Sequence, residues 1–196
     1  HHEGFHVAQA FTHGGKRCST SRAYLRPVMG RANLTVMTRT LTHKVRFEGS
    51  RAVGIIAERQ GETVELNAER EVILCGGTIS TPQLLLLSGV GDTAHLSEHD
   101  IATTAHVPAV GRNLENHQIV PISYATPSGV SMSHKFRGLG KYRVGLEWFL
   151  FKSGIGASTM CEAGCFFKSS DDVDYANIQH EFYPITADLG DPNPNF

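Results

Sequence analysis

Hydrophobic and polar residues alternate along the chain between residues 34 and 67. Turn signals at Glu48-Gly49-Ser50 and Gln60-Gly61 interrupt this alternation. Alternation with a period of two, in runs rich in β-branched residues, is typical of strands that bury one face. Short connections of this kind join strands that pair with their neighbours in sequence. The pattern predicts an antiparallel meander with strands at Leu34–Thr38, Leu41–Phe47, Ala52–Arg59 and Glu62–Asn67.

The pattern changes after residue 70. Glu71–Cys75 reads E-V-I-L-C and is bounded by Gly76-Gly77, which is typical of a fully buried parallel strand. Thr81 as an N-cap and Pro82 at the first helical position then predict a helix over 81–88 that Gly89 ends. A short helix is predicted near 93–99. Up to residue 118 the sequence therefore predicts a meander, a buried parallel strand and a helix.

Residues 119–196 have a different character. An amphipathic helix is predicted over 141–152, and strands are predicted over 162–167 and 176–184. We expect a second domain to begin near residue 119, so that the chain divides into residues 1–118 and 119–196. The fold class predicted for the whole chain is α/β (α+β).

The composition excludes several classes of function. The 196 residues are 40% hydrophobic and 19% charged, with a formal net charge of -1, which is ordinary for a globular domain and leaves no basic surface for nucleic acid. No apolar stretch reaches the roughly 18 residues of a membrane-spanning helix. The four cysteines form no C-x-x-C pair. They therefore predict neither a zinc site nor a disulfide framework.

Two glycine clusters compete as the place where a phosphate-bearing cofactor approaches the backbone. Gly89, Gly91 and Ala94 fit the dinucleotide pattern G-x-G-x-x-G/A. That pattern works only where a strand ends in a glycine turn and a helix begins. The second cluster follows a predicted helix, whereas Gly76-Gly77 follows a predicted strand. The context therefore favours the first cluster.

Three further features of the sequence have side chains that can carry chemistry. His95 to His99 spell H-x-x-E-H, a zinc-binding order, but Asp100 ends the segment, no helix offers a third ligand, and no metal is predicted. Ser88 lacks the glycine that a G-x-S-x-G nucleophile requires, because Leu86 stands there. Glu162 lies in an apolar segment. A carboxylate there is either held by a structural salt bridge, placed at the edge of a sheet, or answered by a cationic ligand, and these alternatives stay open.

Residues 77–91 resemble a known family signature. G-T-I-S-T-P-Q-L-L-L-L-S-G-V-G resembles the second signature of the glucose–methanol–choline (GMC) oxidoreductases at every constrained position. The blocks R-C-S-T-S-R-A-Y-L-R-P, R-A-N-L-T-V and A-V-G-R-N-L-E-N-H resemble other family segments in the same order. The last block departs from the family at Glu115 and Asn116. The resemblance covers essentially the whole chain, and its second half is most similar to the choline-oxidising branch.

The resemblance implies a flavoenzyme that transfers hydride from an alcohol to FAD. Residues 1–118 would form part of an FAD-binding domain and 119–196 the start of a substrate-binding domain. Thr42 would touch the adenine through its backbone. Gly76 and Gly77 would let the chain pass close to the cofactor. Glu162 would face the trimethylammonium group of choline.

The resemblance also sets expectations about what lies outside this sequence. The pyrophosphate fingerprint is expected before residue 1 and the catalytic histidine beyond residue 196, so none of the eleven histidines is assigned as catalytic. We expect an internal fragment that alone neither binds FAD tightly nor oxidises alcohols. The alternatives are another GMC alcohol or glucose dehydrogenase or oxidase, and a catalytically silent homologue that serves as a binding module. The electron acceptor stays open, and association with a mitochondrial or bacterial membrane is implied by the resemblance alone.

Overall fold

The computed structural model describes residues 3–127 and 131–185. Helices and strands are mixed along the chain, which confirms the α/β class. The helices are α1 (Gly77–Leu87), α2 (Thr93–Glu98) and α3 (Gly140–Phe151), with single π or 3₁₀ turns at Ser21–Leu25, Arg26–Val28, Met132–Phe136 and Ile155–Ala157. The strands are β1 (Gly4–Val7), β2 (Thr12–His13), β3 (Lys16–Arg17), β4 (Thr40–Glu48), β5 (Arg51–Arg59), β6 (Glu62–Asn67), β7 (Val90–Gly91), β8 (Ala105–His106), β9 (Ala163–Phe167) and β10 (Ile178–Phe182).

The chain forms two compact units. One comprises Thr35–Ile119, and the other comprises His1–Leu34 together with Val120–Phe196. We call them the central unit and the terminal unit. The assignment of an FAD-binding role to residues 1–118 and a substrate-binding role to 119–196 stays a prediction, because compactness assigns no role to either unit.

The predicted meander is the scaffold of the central unit. Strands β4, β5 and β6 pair antiparallel in sequence order. Gln60 and Gly61 connect β5 to β6 with φ angles of 56° and 83°, the left-handed backbone that a tight two-residue hairpin turn requires. The strands over 41–47, 52–59 and 62–67 are thus confirmed. The strand predicted over 34–38 is wrong, since these residues adopt no regular structure.

Helix α1 packs against β4 through a buried serine. Ser88, at the end of α1, is 1% exposed. Its hydroxyl accepts a hydrogen bond from the Val45 N–H at 2.8 Å and donates one to the Leu84 carbonyl at 2.6 Å. Val45 is itself only 2% exposed. The serine therefore satisfies a strand N–H that water cannot reach, and its role is structural.

The buried parallel strand predicted over 71–75 is wrong in this structure. Residues 71–76 adopt no regular structure, Ile73 is 72% exposed, and Cys75 is exposed. A central parallel strand needs hydrogen-bonding neighbours on both edges. Among the described residues, no strand lies beside this segment, and the one parallel pair is β7 with β8.

The helix predicted over 81–88 is present but begins earlier. Helix α1 starts at Gly77, so Pro82 lies inside it rather than at its first position. The ring of Pro82 removes one intrahelical hydrogen bond, yet the helix extends upstream of it. The predicted end is confirmed, because Ser88 is the C-cap and Gly89 follows with φ 83°.

The terminal unit is built on a three-stranded antiparallel sheet in the order β1, β9, β10. The first strand of the chain therefore pairs with a strand about 160 residues later. Helix α3 belongs to the same unit and confirms the helix predicted over 141–152. Trp148 of α3 donates its indole N–H to the Gly15 carbonyl at 2.7 Å, and this bond joins the helix to the β2–β3 hairpin.

The two faces of this sheet differ in chemistry. Side chains of residues two apart on a strand share a face. One face carries the acidic and aromatic groups of the site described below. The other is apolar and open, with Phe5 93%, Val7 80% and Phe182 58% exposed. Within the described residues, no helix has both the length and the apolar character needed to cross a membrane.

Candidate cofactor and cation sites

The start of α1 presents an uncovered stretch of backbone. Gly76 is its N-cap, and no side chain accepts a hydrogen bond from the first turn. Gly77 has φ 81°, is exposed, and has no atom within 4 Å of the place where a Cβ would stand. Free N–H groups at a helix start attract anions, and the missing side chains let another molecule approach the backbone closely.

The start of α2 is filled by the protein itself. The Asp92 carboxylate accepts hydrogen bonds from the Ala94 N–H at 2.9 Å and the His95 N–H at 3.3 Å. His106 Nδ1 accepts from the Thr93 N–H at 3.2 Å. The bond from His95 N–H is the main cause that lowers the pKa of Asp92 below its ordinary value. A negative charge already occupies this helix start, so a phosphate would be repelled.

The second glycine cluster is also closed sterically. Gly89 and Gly91 are both buried. A Cβ on Gly89 would lie 2.7 Å from Thr104 Oγ1, and one on Gly91 would lie 2.5 Å from Leu86 Cδ2. The role of these glycines is to let other parts of the chain pack closely against the backbone at these positions. The preference for Gly76-Gly77 over the Gly89–Ala94 fingerprint therefore has support from charge and from space.

Thr42 lies in β4 next to an irregularity of the sheet. It pairs with Ala57 of β5, and the next pair is Lys44 with Ile56, so His43 is an extra residue in a β-bulge. Thr42 is half-buried. Bulges re-aim backbone groups that an ordinary ladder would consume, which is compatible with a backbone contact to a ligand. That role for Thr42 stays a prediction.

A cavity of about 960 Å³ lies in the central unit beside both helices. Its walls come from α1, α2 and residues 109–115, and most of the side chains are apolar. Thr78 and Ile79, in the first turn of α1, belong to its lining. The cavity therefore begins next to the exposed glycine pair.

Glu162 lies in the terminal unit, immediately before β9. It is exposed, and its Oε1 accepts a hydrogen bond from the Ser158 hydroxyl at 3.1 Å. Its backbone carbonyl accepts from the Ala8 N–H at 2.9 Å. Although its sequence neighbours are mostly apolar, its side chain reaches solvent. Among the described residues it forms no ion pair.

A second carboxylate lies on the same face of the sheet as the Glu162 side chain. Glu181 pairs with Gly164, two residues from Glu162. Tyr183 lies two residues after Glu181, just beyond the end of β10. The Tyr183 hydroxyl donates to Glu181 Oε2 at 2.6 Å. This bond, then burial, raises the pKa of Tyr183 to about 12. Glu181 too has no cationic side chain as a partner in the described part of the chain.

Aromatic rings border these carboxylates. His6 lies over Gly164, 3.0 Å from where a Cβ would stand. Its ring stacks on Phe166 with centroids 4.9 Å apart and planes 11° apart. We call Glu162, Glu181, Tyr183, Phe166 and His6 the acidic face. Two carboxylates without cationic partners beside aromatic rings form a surface that attracts a cation.

The comparison with known families decides the affiliation of the chain. The sequence profile described as "GMC oxidoreductase" matches residues 1–119, which is more than half of the 196 residues. The chain belongs to the GMC oxidoreductase family. The resemblance found at residues 77–91 is thereby confirmed.

Relatives within the GMC family are found among curated proteins and solved structures. The chain is 43% identical over 185 residues to an oxygen-dependent choline dehydrogenase of Staphylococcus xylosus, covering 94% of this chain and 33% of the relative. It is 40% identical over 184 residues to oxygen-dependent choline dehydrogenase 1 of Chromohalobacter salexigens, with 93% and 33% covered. A formate oxidase of Aspergillus oryzae RIB40, studied for FAD modification, superposes with TM-score 0.70 at 28% identity, covering 79% of this chain and 27% of that one. The chain thus spans about a third of these relatives.

Part of the acidic face escaped the sequence reasoning. The sequence predicts a role for Glu162 but none for Glu181 or Tyr183. The signal that could have found them is their spacing of two residues on a predicted strand, which places both on one face. Their position near Glu162 depends on the pairing register of β9 and β10, which places Glu181 opposite Gly164 and which one strand alone does not specify.

Proposed function

We propose that the protein is an FAD-dependent oxidoreductase that oxidises an alcohol CH–OH group, with choline as substrate and betaine aldehyde as product. The observation that carries the proposal is the 43% identity to an oxygen-dependent choline dehydrogenase over 94% of the chain. The uncovered start of α1 and the acidic face support it, because they offer the two kinds of contact that such an enzyme needs.

The start of α1 has the features that an FAD site needs. The cofactor carries a pyrophosphate and, when bound, accepts hydride from the alcohol carbon. Gly76 and Gly77 supply open backbone and helix N–H groups without a capping side chain. We assign these two glycines to close backbone packing against the cofactor, and Thr42 to a backbone contact with the adenine.

A substitution at Gly77 tests the cofactor site in the full-length protein. Gly77→Ala strains a backbone with φ 81° and places a methyl group where the cofactor would approach. Gly61→Ala is the matched control, since Gly61 has φ 83° and an equally open surrounding. We expect FAD affinity to fall at least about tenfold in the first variant and to be unchanged in the second, with similar losses of melting temperature. Equal FAD retention in both would contradict the assignment.

The acidic face has the features that a choline site needs. A quaternary ammonium group donates no hydrogen bond, so a site attracts it with carboxylates and aromatic faces. Glu162 and Glu181 supply the charge, and Tyr183 and Phe166 supply rings nearby. The hydrogen bond from Tyr183 keeps Glu181 oriented while leaving its negative charge in place. We assign both carboxylates to holding the trimethylammonium group.

Comparing choline with an uncharged alcohol of the same shape shows whether the site recognises the positive charge or only the shape of the substrate. In the full-length enzyme, Glu162→Gln and Glu181→Gln should each lower kcat/KM for choline about tenfold, because one attractive charge is lost. The uncharged isostere 3,3-dimethylbutan-1-ol should be affected less than about threefold. Asp172→Asn, at an exposed position in the turn between β9 and β10, is the control and should change neither substrate.

The same assay distinguishes the competing branches of the family. A wild-type enzyme that prefers neutral alcohols, or formate, over choline would refute the choline assignment and favour another GMC branch. Measuring turnover with oxygen and with an artificial acceptor defines the electron acceptor. A full-length protein that retains FAD but oxidises none of these substrates would favour the silent binding module.

A further inference from the structure

A cluster of metal-ligating side chains lies at the end of α2 and shares no residue with either site above. His95, Glu98 and His99 each offer a ligand atom, and these atoms all lie within 4.8 Å of one another. His95 Nδ1 is 3.7 Å from Glu98 Oε2. The rings of His95 and His99 meet edge to face with centroids 5.0 Å apart. All three side chains are exposed, so an ion can reach them from solvent.

The helix explains why these three residues meet. Residues three and four apart share one face of a helix, and His95, Glu98 and His99 have that spacing. Asp92 fixes the other end of α2 by accepting hydrogen bonds from its first turn. Leu96, the residue after His95, is 1% exposed and anchors the helix in the core. The cluster therefore stands on a short but firmly held element.

The donor set selects the kind of ion. Two imidazoles and one carboxylate suit Zn²⁺ and other late first-row divalent ions, whereas Mg²⁺ and Ca²⁺ prefer oxygen ligands alone. Three protein ligands leave a fourth tetrahedral position for water. The sequence argument against a metal was that no other helix supplies a third ligand. The structure removes this objection, because Glu98 within the same turn completes the set.

We propose that His95, Glu98 and His99 form a surface site for a divalent transition-metal ion, with Zn²⁺ as the best-matched ion. His95 and His99 also line the 960 Å³ cavity, so the ion binds at its rim. Bound metal cross-links the last turn of α2 and stabilises the helix end that forms this wall. The proposal is independent of the choline assignment, since it uses none of the same side chains.

Calorimetric titration of the untagged, metal-stripped protein with Zn²⁺ tests the site. We expect one ion per chain in the wild type, and an affinity at least about tenfold lower in His95→Ala and His99→Ala, since removing a ligand costs at least as much as removing a supporting group. His117→Ala is the control, because His117 is an exposed histidine outside the cluster. It should bind like the wild type. Circular dichroism of the metal-free variants checks that α2 is retained.

Two further readouts make the test decisive. Mg²⁺ at the same concentrations should give no heat and should not compete with Zn²⁺. Zn²⁺ should raise the melting temperature of the wild type and not that of the His95→Ala, His99→Ala double variant. Zn²⁺ binding that is equal in the double variant and the wild type, or absent from the wild type, would overturn the proposal.

Discussion

Single residues decide which of the two helix starts in the central unit is available to a ligand. Asp92 fills the start of α2 with its own carboxylate, whereas Gly76 leaves the start of α1 without a side-chain cap. The sequence predicted the importance of Gly76-Gly77 from a strand that is not formed here. The preference for these glycines is supported for a different reason, which is the charge and space at each helix start.

Asp92 gives a prediction at the residue scale. Asp92→Ala should lower the melting temperature by about 2–4 °C, because two N–H groups of α2 lose their acceptor. Asp92→Ser should retain most of the stability, since serine also caps helices. Thermal unfolding followed by circular dichroism measures both. Equal melting temperatures for the alanine variant and the wild type would contradict the capping role.

The pH dependence of this effect has a definite sign. The folded pKa of Asp92 is below its ordinary value of 3.8, mainly because the His95 N–H bonds to the carboxylate. A carboxylate with a lowered folded pKa contributes stability that is present above its unfolded pKa and is lost as the pH falls through the folded pKa. The difference between wild type and Asp92→Ala should therefore be complete at pH 6 and should shrink below pH 3.8.

At the scale of elements, the sequence predicts local structure and hairpin pairing well, but pairing between segments far apart in the chain poorly. β6 has the predicted bounds 62–67, and α3 begins one residue from its predicted start. Alternation and hairpin turns are local signals, and they specify the meander. Residues 71–75 fail because an apolar run shows that a segment is suited to burial but not which strands lie beside it. For the same reason, the sequence did not predict that Glu181 lies opposite Gly164, near the start of β9.

Ser88 gives a prediction at the element scale, because it joins α1 to β4. Ser88→Ala leaves the buried Val45 N–H without its acceptor and should reduce the free energy of unfolding by about 1–3 kcal/mol. Ser97→Ala is the control, since Ser97 is exposed on α2, and it should change stability by less than about 0.5 kcal/mol. Urea denaturation measures both. Similar stabilities of the two variants would refute the role of the serine.

At the scale of the whole molecule, each unit leaves large apolar side chains open to solvent. In the terminal unit, Phe5 is 93% and Val7 is 80% exposed, and in the central unit, Ile73 is 72% exposed. Relatives about three times as long have additional chain that can cover such faces.

Dye binding tests this property. The 196-residue chain should enhance the fluorescence of 1-anilinonaphthalene-8-sulfonate strongly, because open apolar faces bind the dye. The full-length protein at the same concentration should enhance it several-fold less. Phe5→Ser with Val7→Thr should lower the signal of the short chain. Equal, weak enhancement by both proteins would contradict this account of the apolar sheet face.

The single tryptophan of the chain gives one of the two units its own optical reporter. The indole N–H bonds to Gly15, 133 positions away in sequence, and the Lys152 ammonium lies 4.2 Å from the ring centroid. The fluorescence of Trp148 therefore reports whether α3 is packed against the β2–β3 hairpin. It does not report on the meander, which contains no tryptophan. Spectroscopists can watch the terminal unit melt separately, without attaching any label.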